Sequence, residues 1–289
     1  MATRVEQSDF VTDLLSRSRF PVGPVACAVS GGPDSMAMLF LAVAAGCNPT
    51  AYHVDHGLRP TSAAEADLVA ALCDRLGVQF TRLRADIVDG PNLEARARDA
   101  RRALLPPGAL TGHTADDQAE TVLLNLMRGS GTDGLAGMRY EHGKPLLDIR
   151  RAETHRLCHD EGITVASDES NDDPRFRRNR VRHELLPLLD DIARRDVAAL
   201  VSRQSHLIAD DEKLLRDLAM VIDVTDAVQL AAAPLPLARR AIRTWLSDPY
   251  PPDSAAVERV LDVARGVHPG CEVGGGRRVV RTHQRLRLV

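Results

Sequence analysis

The chain has 289 residues, 44% of them hydrophobic, which is enough for one large domain with its own core and a smaller second domain. The formal net charge of −3 excludes a generally basic coat for nucleic acid but leaves a local basic surface open. No apolar run approaches the roughly 18 residues that span a bilayer, and no apolar signal region follows the first residues. Five scattered cysteines without a Cys-x-x-Cys pair predict reduced thiols, so we expect a cytoplasmic protein with no membrane partner.

Apolar segments alternate with helical patterns through the first half of the chain. Strands are predicted at 25–29, 50–54, 78–83 and 109–112, and helices at 35–45, 61–76, 92–105 and 115–127. This alternation predicts an α/β fold with a doubly wound parallel sheet. Ligands of such sheets bind at the carboxyl ends of the strands, and each polar motif of this half follows a strand.

The first motif joins a strand to a helix and reads Ser30, Gly31, Gly32, Pro33, Asp34, Ser35. Two glycines let backbone N–H groups approach an anion, and the following helix directs its first N–H groups at the same place. The motif lacks the Gly-Lys-Ser/Thr ending of a Walker A loop and the third glycine of a dinucleotide fingerprint. It predicts a phosphate site, and the alternative is an ordinary turn with Asp34 or Ser35 as N-cap.

Two weaker motifs follow the second strand and lie in the third helix. Residues 53–59 hold His53, an aspartate and His56, but the two histidines would face opposite sides of a strand, which disfavours a metal site. A loop that contacts a nucleotide and a plain polar turn both stay open there. Arg98 is placed to reach a phosphate, or else it is a solvated or ion-paired helix residue.

The segment 112–121 carries the most chemistry. Asp117 and Glu120 share one helix face, and Gly112 and His113 come just before that helix. Together with Asp116, these carboxylates can hold magnesium, an ammonium group or both. A capping box with Thr114 would account for Asp117, but it leaves the other polar residues unexplained.

Beyond residue 128 the chain changes character. A glycine-rich loop at 129–137 is followed by a helix at 152–161, a polar stretch at 168–174, and a long helix at 184–221 that is interrupted near Pro187. Helices at 236–246 and 255–263 and a hairpin of 272–281 with 285–288 are predicted at the end. The five arginines of 175–182 around Phe176 predict either a nucleic-acid contact or a charged helix start. The arginines near the end of the chain, Arg277 and Arg278 among them, predict the same contact or a charged sheet edge.

Taken together, these segments resemble the tRNA(Ile)-lysidine synthetase family of PP-loop (N-type) ATP pyrophosphatases. The matching segments are 30–35, 53–59, 112–121, 128–131, 134–138, 145–147, 168–171 and 176–182. The resemblance implies a HUP-like PP-loop catalytic domain at 1–185, a helical linker at 186–221 and a small α+β tRNA-recognition domain at 222–289. Longer relatives carry two C-terminal domains, so we expect the short form with one.

The reaction that the resemblance implies has two steps. ATP adenylates the C2 oxygen of the wobble cytidine of an isoleucine tRNA with a CAU anticodon, and pyrophosphate leaves. The side-chain amine of free lysine then attacks C2, AMP leaves, and lysidine is formed. A homodimer is compatible with the resemblance.

The resemblance also assigns roles to single residues. The catalytic residues would be Asp34, His113, Asp117, Arg178 and Arg182. The expected ATP contacts are Ser30, Gly31, Gly32, Pro33, Asp34, Ser35, His53, Arg98, Gly112 and His113. Magnesium would lie near Asp34, Asp116 and Asp117, and lysine near Asp117 and Glu120. The expected tRNA contacts are Arg175, Phe176, Arg178, Asn179 and Arg182, to which the arginine pattern near the end of the chain adds Arg277 and Arg278.

Two segments are shorter than is usual in that family, at 103–110 and at 140–144, where Lys144 stands at the position of a common arginine. Three other functions compete. A tRNA sulfur-insertion enzyme would need paired or cluster-binding cysteines, which the sequence lacks. A small-molecule amide ligase would leave 168–182 unexplained, and a non-enzymatic nucleotide- or RNA-binding module would tolerate loss of the carboxylates that are all present here.

Overall fold

A computed structural model describes residues 8–55, 62–85, 100, 102–166, 173 and 175–289. Arg98, the loop at 56–59, the motif at 168–171 and most of the predicted helix at 92–105 lie outside the described residues. The chain divides into two compact units, 1–208 and 209–289. Within the described ranges, no helix is both long and apolar enough to cross a membrane.

The first unit is built on a parallel four-stranded sheet, which confirms the predicted α/β fold. Its strands are β1 (Pro24–Ala28), β2 (Asn48–Asp55), β3 (Gln79–Arg84) and β4 (Leu110–Thr111). Their order is β3-β2-β1-β4, so the chain builds outward from β1 on one side and then crosses to the other. The connections that leave β1 and β4 therefore diverge at a switch point, where sheets of this kind bind ligands.

Helices connect these strands and continue beyond them. They are α1 (Asp9–Arg17), α2 (Pro33–Ala44), α3 (Ser62–Leu76), α4 (Ala115–Met127), α5 (Thr132–Leu135), α6 (Arg151–Asp160), α7 (Arg177–Arg180), α8 (Leu186–Ala193) and α9 (Val197–Met220). A π-helical turn, Val181–Leu185, joins α7 to α8, and a 3₁₀ turn covers Tyr140–His142.

The core of the first unit positions two helix starts. Residues 35–42 of α2 are all buried, as expected for a helix that is covered on every side. One apolar cluster joins Leu14 of α1, Cys27 of β1, Met36 of α2 and Leu157 of α6. Packing of α6 against α2 brings the amino-terminal turns of both helices to the carboxyl edge of the sheet, beside the start of α4.

The predicted long helix at 184–221 is wrong in one respect. The chain breaks at 194–196, where Arg194 adopts a left-handed conformation with φ of 53°, and not at Pro187. Pro187 lies in the first turn of α8, directly after the π-helical turn.

The second unit contains α10 (Ala227–Ala232), α11 (Leu235–Trp245), α12 (Ser254–Arg265) and an antiparallel sheet. The sheet runs β5 (Gly270–Gly274), β6 (Arg277–Thr282) and β7 (Arg285–Leu288) in that order. The predicted single strand at 272–281 is therefore two strands. Gly274, Gly275 and Gly276 all have positive φ, which glycine alone adopts readily, and they turn the chain.

Candidate active site

The phosphate loop, residues 30–35, leaves the carboxyl end of β1 and is closed by a hydroxyl. Ser35 Oγ accepts a hydrogen bond from the Ser30 N–H at 3.1 Å and donates one to the Gly32 carbonyl at 3.0 Å. The expectation that Asp34 or Ser35 is the N-cap is wrong, because the N-cap of α2 is Gly32, which supplies no capping side chain. Within the described residues, the first N–H groups of α2 therefore have no capping side chain, an arrangement that favours a bound anion.

Gly112 lets the end of β4 touch the start of α2. A Cβ atom at this position would lie 2.5 Å from the Asp34 carbonyl oxygen, a distance that no side chain tolerates. The next residue, His113, lies with its Nδ1 2.9 Å from Thr111 Oγ1 and 3.2 Å from Lys144 Nζ. The imidazole and this amine therefore stand together beside the phosphate loop.

His53 lies inside the sheet. It is 2% exposed, and its Nδ1 is 2.9 Å from the Val29 carbonyl oxygen. Because a carbonyl only accepts, Nδ1 carries the proton and donates. Its Nε2 is buried and has no hydrogen-bond partner among the described residues. The contact that the structure shows ties β2 to the end of β1, and contact with ATP stays a prediction.

Four carboxylates, Asp34, Asp116, Asp117 and Glu120, form what we call the acid cluster. The start of α4 fixes Asp117, because its Oδ2 accepts from the Thr114 N–H at 2.9 Å while Thr114 Oγ1 accepts from the Asp117 N–H. This confirms the capping box and explains why Asp117 has only Oδ1 left for other partners.

Three guanidinium groups cover Asp117 and Glu120. Asp117 Oδ1 lies 2.9 Å from both Arg151 and Arg178. Glu120, with a fully buried side chain, accepts from Arg151 at 3.1 Å, from Arg182 at 2.8 Å and from Arg178 at 2.5 Å. Each buried negative charge is thereby paired, as burial requires.

The other two members of the acid cluster face different partners. Asp116 accepts two hydrogen bonds from the Arg150 guanidinium, at 2.9 and 3.0 Å, and one from the Arg151 backbone N–H at 2.7 Å. Asp34, in the first turn of α2, accepts from the Thr154 hydroxyl, and its Oδ2 lies 3.5 Å from Arg151 Nε.

These surroundings shift the pKa values of the aspartates in the acid cluster in opposite directions. Burial raises the pKa of Asp34 to about 6, although its hydrogen bond with Thr154 acts in the opposite direction. Burial alone would also raise the pKa of Asp117, but the Arg151 and Arg178 guanidiniums outweigh it and lower that pKa to about 2. Burial alone would raise the pKa of Asp116, but the hydrogen bonds from Arg150 and the Arg151 backbone N–H, together with the charges of both arginines, outweigh it and lower that pKa. Neighbouring carboxylates with opposite shifts are characteristic of functional sites.

The predicted magnesium ligands do not converge on one point. No group of three or more histidine, cysteine, aspartate or glutamate side chains in the described part of the chain is arranged to hold a metal ion. Both oxygens of Asp116 are bound by Arg150, and those of Asp117 by its cap and by arginine. Asp34 Oδ2, at 3.5 Å from Arg151, is the least engaged oxygen of the three residues.

The predicted tRNA-contacting run is divided by the structure. Arg178 and Arg182 point inward to the acid cluster, whereas Arg175 is exposed and pairs with Asp173 at 2.6 Å. Asn179 is buried and donates to the Asp173 carbonyl at 2.9 Å. Phe176 is the half-buried N-cap residue of α7.

The two predicted arginines of the second unit also differ. Arg277 donates to the carbonyl oxygens of Leu246, at 3.3 Å, and of Asp248. Arg278 is exposed, and its Nε lies 3.9 Å from Glu272 Oε1. Their predicted contact with tRNA stays a prediction.

Sequence reasoning missed Arg150, Arg151 and Thr154, which complete the acid cluster. A signal was present, because two arginines stand at the start of a predicted helix, where the helix dipole disfavours positive charge. Such a placement indicates that carboxylates lie close by in space. Lys144 was noted only as a replacement in a shortened loop.

Comparisons with known proteins identify the family of this chain. A family model described as a PP-loop domain matches residues 6–189. The tRNA(Ile)-lysidine synthase of Nocardia farcinica is 41% identical over 91% of this chain and 90% of its own length. The enzyme of that name from Rhodococcus erythropolis is 39% identical over 92% and 89%, and that from Cutibacterium acnes is 37% identical over 90% and 88%.

Among solved structures, the U34-tRNA thiolase NcsA from Methanococcus maripaludis, described with its [4Fe-4S] cluster, has a similar fold. It aligns with a TM-score of 0.54 at 18% identity, covering 70% of this chain and 77% of that one. At this identity the similarity concerns the fold alone. The extent and identity of the sequence matches show that the chain belongs to the tRNA(Ile)-lysidine synthase family of PP-loop proteins.

Proposed function

We propose that this protein joins lysine to C2 of the wobble cytidine of the CAU-anticodon isoleucine tRNA. ATP would first adenylate the C2 oxygen and release pyrophosphate, and lysine would then displace AMP to give lysidine. The observation that carries the proposal is the direct bridge by Arg151 between Asp34 of the phosphate loop and the acid pair Asp117 and Glu120. An ATP subsite and an ammonium subsite lie side by side.

The ATP phosphates are assigned to the uncapped start of α2 and to the phosphate loop. His113, already beside Lys144, supplies a further donor at the same edge of the sheet. We assign Arg98 and His53 to ATP as well, on the family's pattern. The pyrophosphate leaving group carries growing negative charge, and donors fixed in advance stabilise it without reorganisation.

We propose that ATP brings Mg²⁺, which neutralises charge on the departing pyrophosphate. Asp34 is the residue best placed to hold the ion, together with phosphate oxygens, which commonly supply most of the ligands of such a site. The predicted participation of Asp116 and Asp117 would require both to leave their arginine partners.

Free lysine matches the mixed charges of the acid cluster. Its ammonium groups suit Asp117 Oδ1 and Glu120, and its carboxylate suits a guanidinium such as Arg178 that leaves those acids. An ammonium must lose a proton before it can attack, and its ordinary pKa of about 10.4 leaves few neutral molecules at pH 7. A carboxylate of the cluster accepts that proton.

The tRNA is assigned to Arg175, Phe176, Arg178, Asn179 and Arg182, next to the acid cluster. Arg277 and Arg278, chosen for the arginine pattern of this segment, extend the proposed assignment to the second unit. We retain the proposed division into a catalytic domain at 1–185, a linker at 186–221 and a tRNA-recognition domain at 222–289. Cytoplasmic location and assembly as a homodimer stay predictions.

The test is incorporation of radiolabelled lysine into tRNA by the purified full-length protein, with AMP measured in parallel. We expect incorporation only with ATP and an isoleucine tRNA bearing CAU, and none with a methionine tRNA that shares the anticodon. Equal incorporation into both would contradict the proposed specificity. Formation of AMP on a small acceptor, without tRNA labelling, would instead support an amide ligase.

A further inference from the structure

Arg151 is the guanidinium that joins both halves of the site. It is the first residue of α6, and its backbone N–H donates to Asp116 Oδ2 at 2.7 Å. The preceding residue, Arg150, is held by a capping box in which Glu153 accepts from its N–H at 2.8 Å. The Cα position of Arg151 is thus tied to both α4 and α6.

The side chain of Arg151 uses each of its nitrogens on a different carboxylate. Nε lies 3.5 Å from Asp34, Nη2 lies 2.9 Å from Asp117, and Nη1 lies 3.1 Å from Glu120. Asp34 comes from α2 and the acid pair comes from α4. Because a guanidinium is planar and its N–H directions are fixed, Arg151 fixes the spacing between α2 and α4. A lysine ammonium at this position could bind only some of the three carboxylates.

Arg178 and Arg182 contact the same acid pair but differ from Arg151 in two ways. Within the described residues, both pair with the carboxylates of Asp117 and Glu120 and show no ion pair with Asp34, so they do not link the acid pair to the phosphate loop. Their side chains are also more exposed, at 35% and 22% against 18% for Arg151. They can exchange partners with a substrate without separating the two subsites.

We propose that Arg151 is a positioning residue that holds the phosphate-loop carboxylate and the acid pair in one geometry, so that adenylation and lysine attack both depend on it. This inference rests on the proposed function. Arg151 acts through Asp34 in the first step and through Asp117 and Glu120 in the second. It has no role of its own in bond formation.

The test measures each step in a single turnover with the full-length protein. Adenylation is followed as pyrophosphate release without lysine, and amine attack is followed after lysine is added to the tRNA adenylated beforehand. For Arg151→Ala we expect both rate constants to fall about 30-fold or more, as when one partner of a buried charged pair is removed, while reaction amplitudes persist. Arg151→Lys keeps the charge without the fork, and should leave both constants about tenfold low.

Arg156→Ala is the matched control, because Arg156 lies on the same helix, is 63% exposed and forms its ion pair with Asp160, outside the acid cluster. We expect it to leave both constants unchanged. Lower amplitudes with unchanged rate constants in the Arg151 variants would mean a structural role alone and would overturn the inference. A fall in only one constant would also overturn it. Absence of lysidine with the unaltered protein would instead refute the proposed function.

Discussion

The arginines of the acid cluster and two arginines of the second unit, Arg277 and Arg281, have partners of different kinds. At the acid cluster of the first unit they bind carboxylates: Arg150, Arg151, Arg178 and Arg182. In the second unit, Arg277 and Arg281 donate to backbone carbonyls, the latter to Val263 and Ala264 at the end of α12. In the sequence, the two groups of arginines look alike. Those of the acid cluster neutralise buried carboxylates, whereas Arg277 and Arg281 cap the carbonyl ends of helices, where the helix dipole favours a cation. Arginine count alone therefore does not identify a nucleic-acid surface.

The largest effect is expected from a change to the acid cluster, whose carboxylates bind the arginines of the first unit. Glu120→Gln removes the buried charge that three arginines share, so the KM for lysine should rise about 100-fold or more, while adenylation changes much less. Steady-state kinetics at varied lysine and ATP concentrations measure both. Glu258→Gln is the control, because that exposed residue pairs with one arginine in the second unit. An equal loss in both steps for Glu120→Gln would contradict its assignment to lysine.

Arg178 and Arg175 belong to the same segment, 175–182, but we expect their replacement to reduce turnover by different amounts. Arg178→Ala should reduce tRNA-dependent turnover about tenfold to 100-fold, because hydrogen bonds to two buried carboxylates are lost while Arg151 keeps both acids paired. Arg175→Ala, which removes an exposed pair with Asp173, should change turnover less than about threefold. Lysine incorporation under tRNA-limiting conditions measures both variants. Similar losses of lysine incorporation in the two variants would contradict the prediction that the buried contacts of Arg178 matter more than the exposed pair of Arg175.

The carbonyl-bound arginines should affect stability instead. Arg277→Ala leaves the Leu246 and Asp248 carbonyls without this donor, so the free energy of unfolding should fall by about 1–3 kcal/mol. The single tryptophan, Trp245, lies in the second unit, so its fluorescence during urea unfolding reports on that unit. Arg287→Ala, at an exposed position, should change stability by less than about 0.5 kcal/mol. Equal stabilities of the two variants would refute the capping role.

The smallest effect concerns tRNA affinity. Arg278 and Arg287 are exposed residues of adjacent antiparallel strands, so replacing both by alanine should weaken binding only a few-fold. The slope of log affinity against log salt should become shallower by about 0.7–0.9 for each phosphate contact removed. Filter binding at several salt concentrations measures it. An unchanged slope would mean that this face does not contact the tRNA.

Much of the first unit could be predicted because its patterns are local. Strand and helix alternation and the capping box of Thr114 with Asp117 are readable from neighbouring residues, and the structure confirms both. Gly31 of the phosphate loop has a positive φ, while phosphate binding there stays a prediction. The helix at 115–127 agrees to the residue. The turn at 274–276 was missed because three glycines were taken as part of one strand.

The pairing of the acid cluster could not be predicted, because its partners are distant in the sequence. Arg151 lies 31 positions from Glu120, and Arg178 lies 58 positions from it. Only the packing of α6 against α2, and of α7 against α4, brings these side chains together. A sequence pattern gives residue types and spacing along one helix, but not which face of a second helix arrives opposite.

The close contact at Gly112 limits how far the proposed nucleotide site can change shape when a ligand binds. Since the end of β4 and the start of α2 are already in contact, with no room for even a methyl group, they cannot close further on a ligand. The phosphate cradle proposed for ATP would therefore be preformed where these two elements meet, and we expect binding there to require little reorganisation. Substitutions meant to enlarge the site for a bulkier phosphate donor would therefore have to be made away from the contact between β4 and α2.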